Sequence, residues 1–120
     1  MRPAESIVRD ADAEGRFIQQ AEGRGQYAVV QMRVEPFANN GRIAFRSAAM
    51  NLPEEFVKAV EAGMRNAAQE GLHGTPLVDI KVTLLGAREH PVDSSKLAFE
   101  NAGGIAFRQA VQEAGTVSVV

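Results

Sequence analysis

The 120-residue chain has no cysteine, which excludes disulfides, thiolate nucleophiles and sulfur-ligated metals and suits a reducing cytosol. Imidazole is scarce too: only His73 and His90 are present, neither with metal-ligand spacing around it, so no metal site is expected. No apolar run approaches the roughly 18 residues of a membrane helix, and no signal-peptide pattern or Asn-x-Ser/Thr acceptor occurs. A strong charge of either sign is also lacking. At a formal net charge of −2 there is no global basic field, so any contact with nucleic acid must be local. No GxxxxGK[ST] phosphate loop occurs, so GTP binding of the usual kind is excluded for this segment.

What is present fits one soluble domain around a single core, at 45% hydrophobic and 23% charged residues without repeats, low-complexity blocks or internal linkers. Ala28, Val30, Met32 and Val34 alternate with Gln31, Arg33 and Glu35, which predicts a half-buried strand over 26–36. Val78, Ile80, Val82 and Leu84 against Asp79, Lys81 and Thr83 predict another over 76–85. Shorter strands are expected at 15–20 and 42–47, with an edge strand at 4–10. Hairpins are expected to close at Glu22–Gly25 and at Asn39-Asn40-Gly41.

Two helices are predicted. The first spans 52–70, with Asn51 and Glu54 at capping-box spacing, Pro53 in the first turn and Gly71 as the stop. The second opens at Asp93-Ser94-Ser95 and ends at Gly115, with small residues along one stripe. Its Gly103-Gly104 pair costs about 1 kcal/mol per glycine relative to alanine, which close approach to the sheet is expected to offset. The order β-β-β-α-β-α, with possible edge strands at both termini, gives an α/β (α+β) two-layer sandwich: one open mixed sheet with both helices on one face.

Gly23-Arg24-Gly25-Gln26-Tyr27 joins the first two strands. Glycine permits φ > 0 and leaves main-chain N–H groups uncovered, so Arg24 is held out on little bulk. The turn suits an anionic surface; taken alone, it is explained more simply as a hairpin turn with a solvated arginine. Strand direction gives it neighbours. If the strand at 76–85 runs parallel to the one at 42–47, its exit loop (86–92) and the second helix N-terminus arrive at the same end as Arg24. Arg24, Gln26, Arg88, His90, Ser94 and Asn51 then converge. A helix N-terminus favours phosphate, arginine offers a fork of donors, and histidine stacks on bases or donates a hydrogen bond. The bland alternatives are a loop histidine held by Glu89 and serines that only cap a helix. An enzyme with His90 as base and Ser94 or Ser95 as nucleophile lacks a nucleophile elbow. Gly23-x-Gly25-x-x-Ala28 matches the dinucleotide fingerprint in letters, but it opens a strand where that motif opens a helix.

Glu14-Gly15-Arg16-Phe17-Ile18-Gln19-Gln20 followed by Gly23-Arg24-Gly25-Gln26-Tyr27 resembles the opening of domain IV of bacterial translation elongation factor G. Val78–Leu84 is similar to that domain's central strand, and His90-Pro91-Val92-Asp93-Ser94-Ser95-Lys96-Leu97-Ala98-Phe99 to its histidine loop and last helix. The resemblance runs through nearly the whole chain in order. It implies a single domain, 1–120, excised from a multidomain ribosome-dependent GTPase, with a left-handed βαβ crossover against the general right-handed preference. It further implies a noncatalytic, cytoplasmic, monomeric module whose tip (Gly23, Arg24, Gly25, Gln26, Arg88, His90, Ser94) enters the small-subunit decoding region. There it would mimic a tRNA anticodon arm and promote movement of tRNA and mRNA. No cofactor is implied for this segment, and GTP and magnesium belong to the missing GTPase domain. The chain departs from the family pattern at Glu22, at Ala28 and Val29, and at Ala48-Ala49-Met50. A diverged paralogue, a ribosomal protection-type domain and a stand-alone interaction module are the alternatives.

Overall fold

The computed structural model describes residues 3–20, 25–90 and 94–119. Along the chain these form β1 (Ala4–Ile7), β2 (Ala11–Gln20), β3 (Gly25–Pro36), β4 (Ile43–Ser47), α1 (Glu54–Glu70), β5 (Ile80–Glu89), α2 (Lys96–Ala114) and β6 (Thr116–Val119). The expected alternation decides which face of the sheet is covered: Ala28, Val30, Met32 and Val34 are fully buried, as are Ile80, Val82 and Leu84. They share one core with Val60 and Met64 of α1 and with Phe99, Ala102, Ala106 and Phe107 of α2. The result is a two-layer α+β sandwich with both helices on one face of a mixed sheet.

The sheet order is β2-β3-β5-β4, with β2–β3 and β3–β5 antiparallel and β4–β5 parallel. Parallel pairing of β4 with β5 brings the ends of both strands to the same end of the sheet, as expected. The second hairpin, however, does not form. Asn40 and Gly41 take the left-handed φ values of 56° and 77° that their turn chemistry favours, but β5 inserts between β3 and β4. A turn motif fixes local backbone, not which strand pairs with which.

Three further expectations are corrected. β5 begins at Ile80, not 76, because Asp79 is left-handed at φ 58°, and it continues to Glu89. The capping box is absent: Pro53 is the N-cap of α1 without a side-chain bond, and Asn51 sits at φ 62°. The edge strands at the two termini pair with each other as a separate two-stranded sheet, β1 antiparallel to β6, tied to the segment before β5 by Glu5 N–H to the Pro76 carbonyl at 2.9 Å.

Gly103 and Gly104 do allow a close approach, but to α1 and not to the sheet. A Cβ on Gly103 would lie 2.7 Å from the Val60 carbonyl oxygen, and one on Gly104 3.3 Å from that of Gly63. The sheet meets α2 at Gly15 of β2, where a Cβ would strike the Ala102 carbonyl and the Ala106 backbone.

Candidate RNA-facing site

β2, β4 and β5 all run toward one end of the sheet, and β3 and the helices run away from it. At that end the last described pair of the β2–β3 hairpin is Gln20 with Gly25. β4 stops at Ser47, opposite Leu84, so the final stretch of β5 continues along β3 alone to the pairing of Glu89 with Ala28. This leaves a narrow end built from β2, β3, β5 and the start of α2.

Ser94 joins two of these parts. Its hydroxyl accepts the His90 N–H at 2.7 Å and donates to the Tyr27 carbonyl at 2.8 Å, fixing His90 and Ser94 against β3. Ser95 does the same one residue on: its hydroxyl donates to Gln26 Oε1 at 2.7 Å and accepts the Ala98 N–H at 3.1 Å as the N-cap of α2. The cap is therefore Ser95, where the wider Asp93–Ser95 segment was expected. The Tyr27 and His90 rings lie 5.9 Å apart, tilted by 55°. Gln26, Tyr27, His90, Ser94 and Ser95 thus form one cluster. Replacing Ser95 by alanine removes both the cap and the Gln26 tie. The expected loss is about 1–2 kcal/mol, read as a drop in Tm of roughly 5–10 °C, while Ser95→Asp keeps most of the stability.

Gly23 and Arg24 lie outside the described residues, as do Glu22 and Asp93. Gly25 begins β3. Arg88 was expected in an exit loop; it is on β5 itself. There Leu85 is a bulge residue, since Gln31 pairs with Gly86 and Met32 with Leu84. The extra residue reverses the alternation, moving Arg88 from the helix-covered face to the open one. Arg88 pairs in register with Val29, which pairs on its other side with Arg16. Asn51 forms no hydrogen bond with Gln26, His90 or Ser94, so it is not joined to the cluster.

Glu14 organises the charges beside Arg88. Its carboxylate accepts from Arg16 Nε at 2.6 Å and from Gln31 Nε2 at 3.3 Å, with Arg88 Nη2 at 3.9 Å. The hydrogen bond from Arg16 holds the Glu14 carboxyl below its usual pKa, with Gln31 and the arginine charges adding to it. In the next row Arg33 makes a two-pronged bond to Asp12 at 2.8 and 3.1 Å, which likewise lowers the Asp12 pKa. Arg16, Glu14, Tyr27 and Ser95 were not among the tip residues expected from the sequence. The alternation of β2 and β3 carried the signal for the first two, but their partners depend on cross-strand register.

The arrangement is suited to contact and not to bond making. Both serine hydroxyls are engaged with backbone and amide groups, so neither is poised for attack. A groove of about 670 Å³ opens elsewhere, between the first turns of α1 and α2, lined by Glu54, Lys58, Lys96, Leu97 and Glu100 among others. Among the described residues no cluster of His, Asp or Glu is placed to hold a metal ion, and no helix is long and apolar enough to cross a membrane.

The family described as "Elongation factor G, domain IV" matches residues 1–115. A crystal structure of a protein from Thermus thermophilus is similar at 32% identity with a TM-score of 0.90, over 97% of this chain and 18% of that one. The chain therefore spans less than a fifth of that protein's length.

Proposed function

The chain belongs to the elongation factor G, domain IV, family, and from that premise we propose that it is the noncatalytic ribosome-binding arm of a larger translational GTPase. Its tip would enter the small-subunit decoding region, meet small-subunit RNA, tRNA and mRNA, and promote translocation by positioning and steric occupation. The observation that carries this reading is the Ser94 bridge between the His90 N–H and the Tyr27 carbonyl. Through it the end of β5 with His90, the start of β3 and the start of α2 present one composite surface of amide, imidazole, phenol and guanidinium groups. Such groups stack on bases and bind phosphates. GTP and magnesium would belong to another part of the parent, because no phosphate loop occurs in these 120 residues.

Arg24→Ala and His90→Ala in the full-length parent test the assignment. His90 bonds Ser94 through its backbone N–H, so His90→Ala keeps that tie. Each variant is expected to slow single-turnover tRNA movement roughly tenfold to a hundredfold, as misplacement of a positioned partner does, with Tm unchanged. Wild-type rates in both variants would remove the proposed roles.

A further inference from the structure

The two layers of the domain carry opposite charge. On the open face of the sheet the described strands place Arg16, Arg33, Arg46, Lys81 and Arg88. Against these five cations stand three carboxylates, Asp12, Glu14 and Glu35. The helices show the reverse balance, six glutamates against four lysines and arginines. A chain of net charge −2 thus directs a positive face away from a negative one, which orients an anionic partner toward the sheet.

The surplus on the open face has an address. Asp12 is taken up by Arg33 and Glu35 faces Lys81 at 3.8 Å, one partner each. Glu14 is shared by two arginines, and Arg46, beside Thr83 in register, forms no hydrogen bond or ion pair among the described residues. Arg16 and Arg88 flank Val29, which is 2% exposed although it lies on the open face and outside the main core. Their side chains stay about 60% exposed (60% and 62%). By strand rise and spacing, Arg46 and Arg88 are about 15 Å apart at the backbone. They mark a cationic track along the sheet that ends at the Tyr27–His90 ring pair.

We propose that the open face of the sheet is a second RNA-contacting surface continuous with the tip, on which Arg16, Arg46 and Arg88 bind backbone phosphates and Glu14 holds two of them in place. The inference rests on the ribosomal reading above and extends it from the tip to a whole face. Repeated phosphates fit three separated guanidinium groups, where a single carboxylate ligand would engage only one. Glu14 orients Arg16 and Arg88 but also competes with phosphate for them.

Binding of the chain to a fluorescently labelled 20-nucleotide RNA hairpin over a salt series tests it. Arg16→Gln, Arg46→Gln and Arg88→Gln each remove one charge while keeping two methylenes of the side chain. Each is expected to weaken binding about threefold to tenfold and to reduce the slope of log K against log salt by roughly 0.7–0.9. Arg88→Lys restores the slope, and Glu14→Gln tightens binding. Lys58→Gln and Arg108→Gln, on the helix layer, leave both affinity and slope unchanged. Equal loss from helix-layer and sheet variants, or no loss from the sheet variants, overturns the proposal. His90→Ala and Arg24→Ala in the same assay separate the two readings. Loss confined to those tip variants leaves the tip and overturns the face; loss confined to the sheet variants upholds the face and removes the tip.

Discussion

Gly63→Ala is expected to destabilise the domain by about 2–4 kcal/mol and to lower Tm by roughly 10–15 °C. On an exposed helix the same change would stabilise by about 1 kcal/mol, because alanine is the better helix former. Here packing reverses the sign. A Cβ on Gly63 would overlap the carbonyl oxygen of Glu100 in α2 and come within 3.2 Å of its Cα. Both are backbone atoms, so no rotamer change makes room and the helices must separate. Separation pulls Val60 and Met64 away from Phe99, which also stacks on Phe56 at a centroid distance of 4.6 Å. The contact is reciprocal, since Gly103 of α2 approaches Val60 and Gly104 faces Gly63. Gly104→Ala is the control: its Cβ would meet the Gly63 oxygen at 3.3 Å, so propensity and crowding nearly cancel. Thermal unfolding of the two variants decides the matter. A Gly63→Ala protein as stable as wild type would mean that the helices part freely, and the account of this glycine set would fail.

That contact shows where the sequence was legible and where it was not. Gly103-Gly104 inside a helix announces a close approach, but the identity of the approaching element is a tertiary fact, and it was α1 where the sheet was expected. The alternation of β3 and the stops at Gly71 and Gly115 were readable because each rests on near neighbours in the chain. Gly71 and Gly115 both have positive φ and donate their N–H to the residue four back, Ala67 and Val111. The capping box failed because matching letters do not fix the backbone: Asn51 is left-handed and Pro53 takes the cap position.

The site divides the same way. Convergence of Gln26, Arg88, His90 and Ser94 followed from chain direction once β4 and β5 were taken as parallel, and the described residues bear out that pairing. The face on which Arg88 lies could not be read by alternation. Ile80, Val82 and Leu84 point to the core, so continued alternation would bury Arg88, and one bulge at Leu85 turns it out.

Asp79→Ala is expected to cost about 3 kcal/mol and to loosen the corner from which β5 is launched toward the tip. Asp79 was read as an exposed polar residue of a strand. It is instead the clamp that stands where the missing β3–β4 hairpin would have been. Its Oδ1 accepts the N–H groups of Asn39 at 2.9 Å and Gly41 at 2.8 Å, gathering the turn onto the start of β5. Its own N–H donates to the Arg42 carbonyl at 3.1 Å, and its carbonyl accepts from the Phe37 N–H at 3.0 Å. These bonds hold the ends of β3 and β4 apart by one strand's width, the gap that β5 fills. Alanine loses both charge-assisted bonds and must also hold φ 58°, a region asparagine and glycine tolerate better. The expected order of stability is therefore wild type, Asp79→Asn, Asp79→Gly, Asp79→Ala, with the asparagine variant losing about 1 kcal/mol. Chemical denaturation gives the order, and amide hydrogen exchange at Asn39 and Gly41 gives the site of opening. Alanine matching asparagine would show that neither the charge nor the left-handed backbone matters here. Protection at Asn39 and Gly41 unchanged in Asp79→Ala would show that the corner is held by something other than this carboxylate.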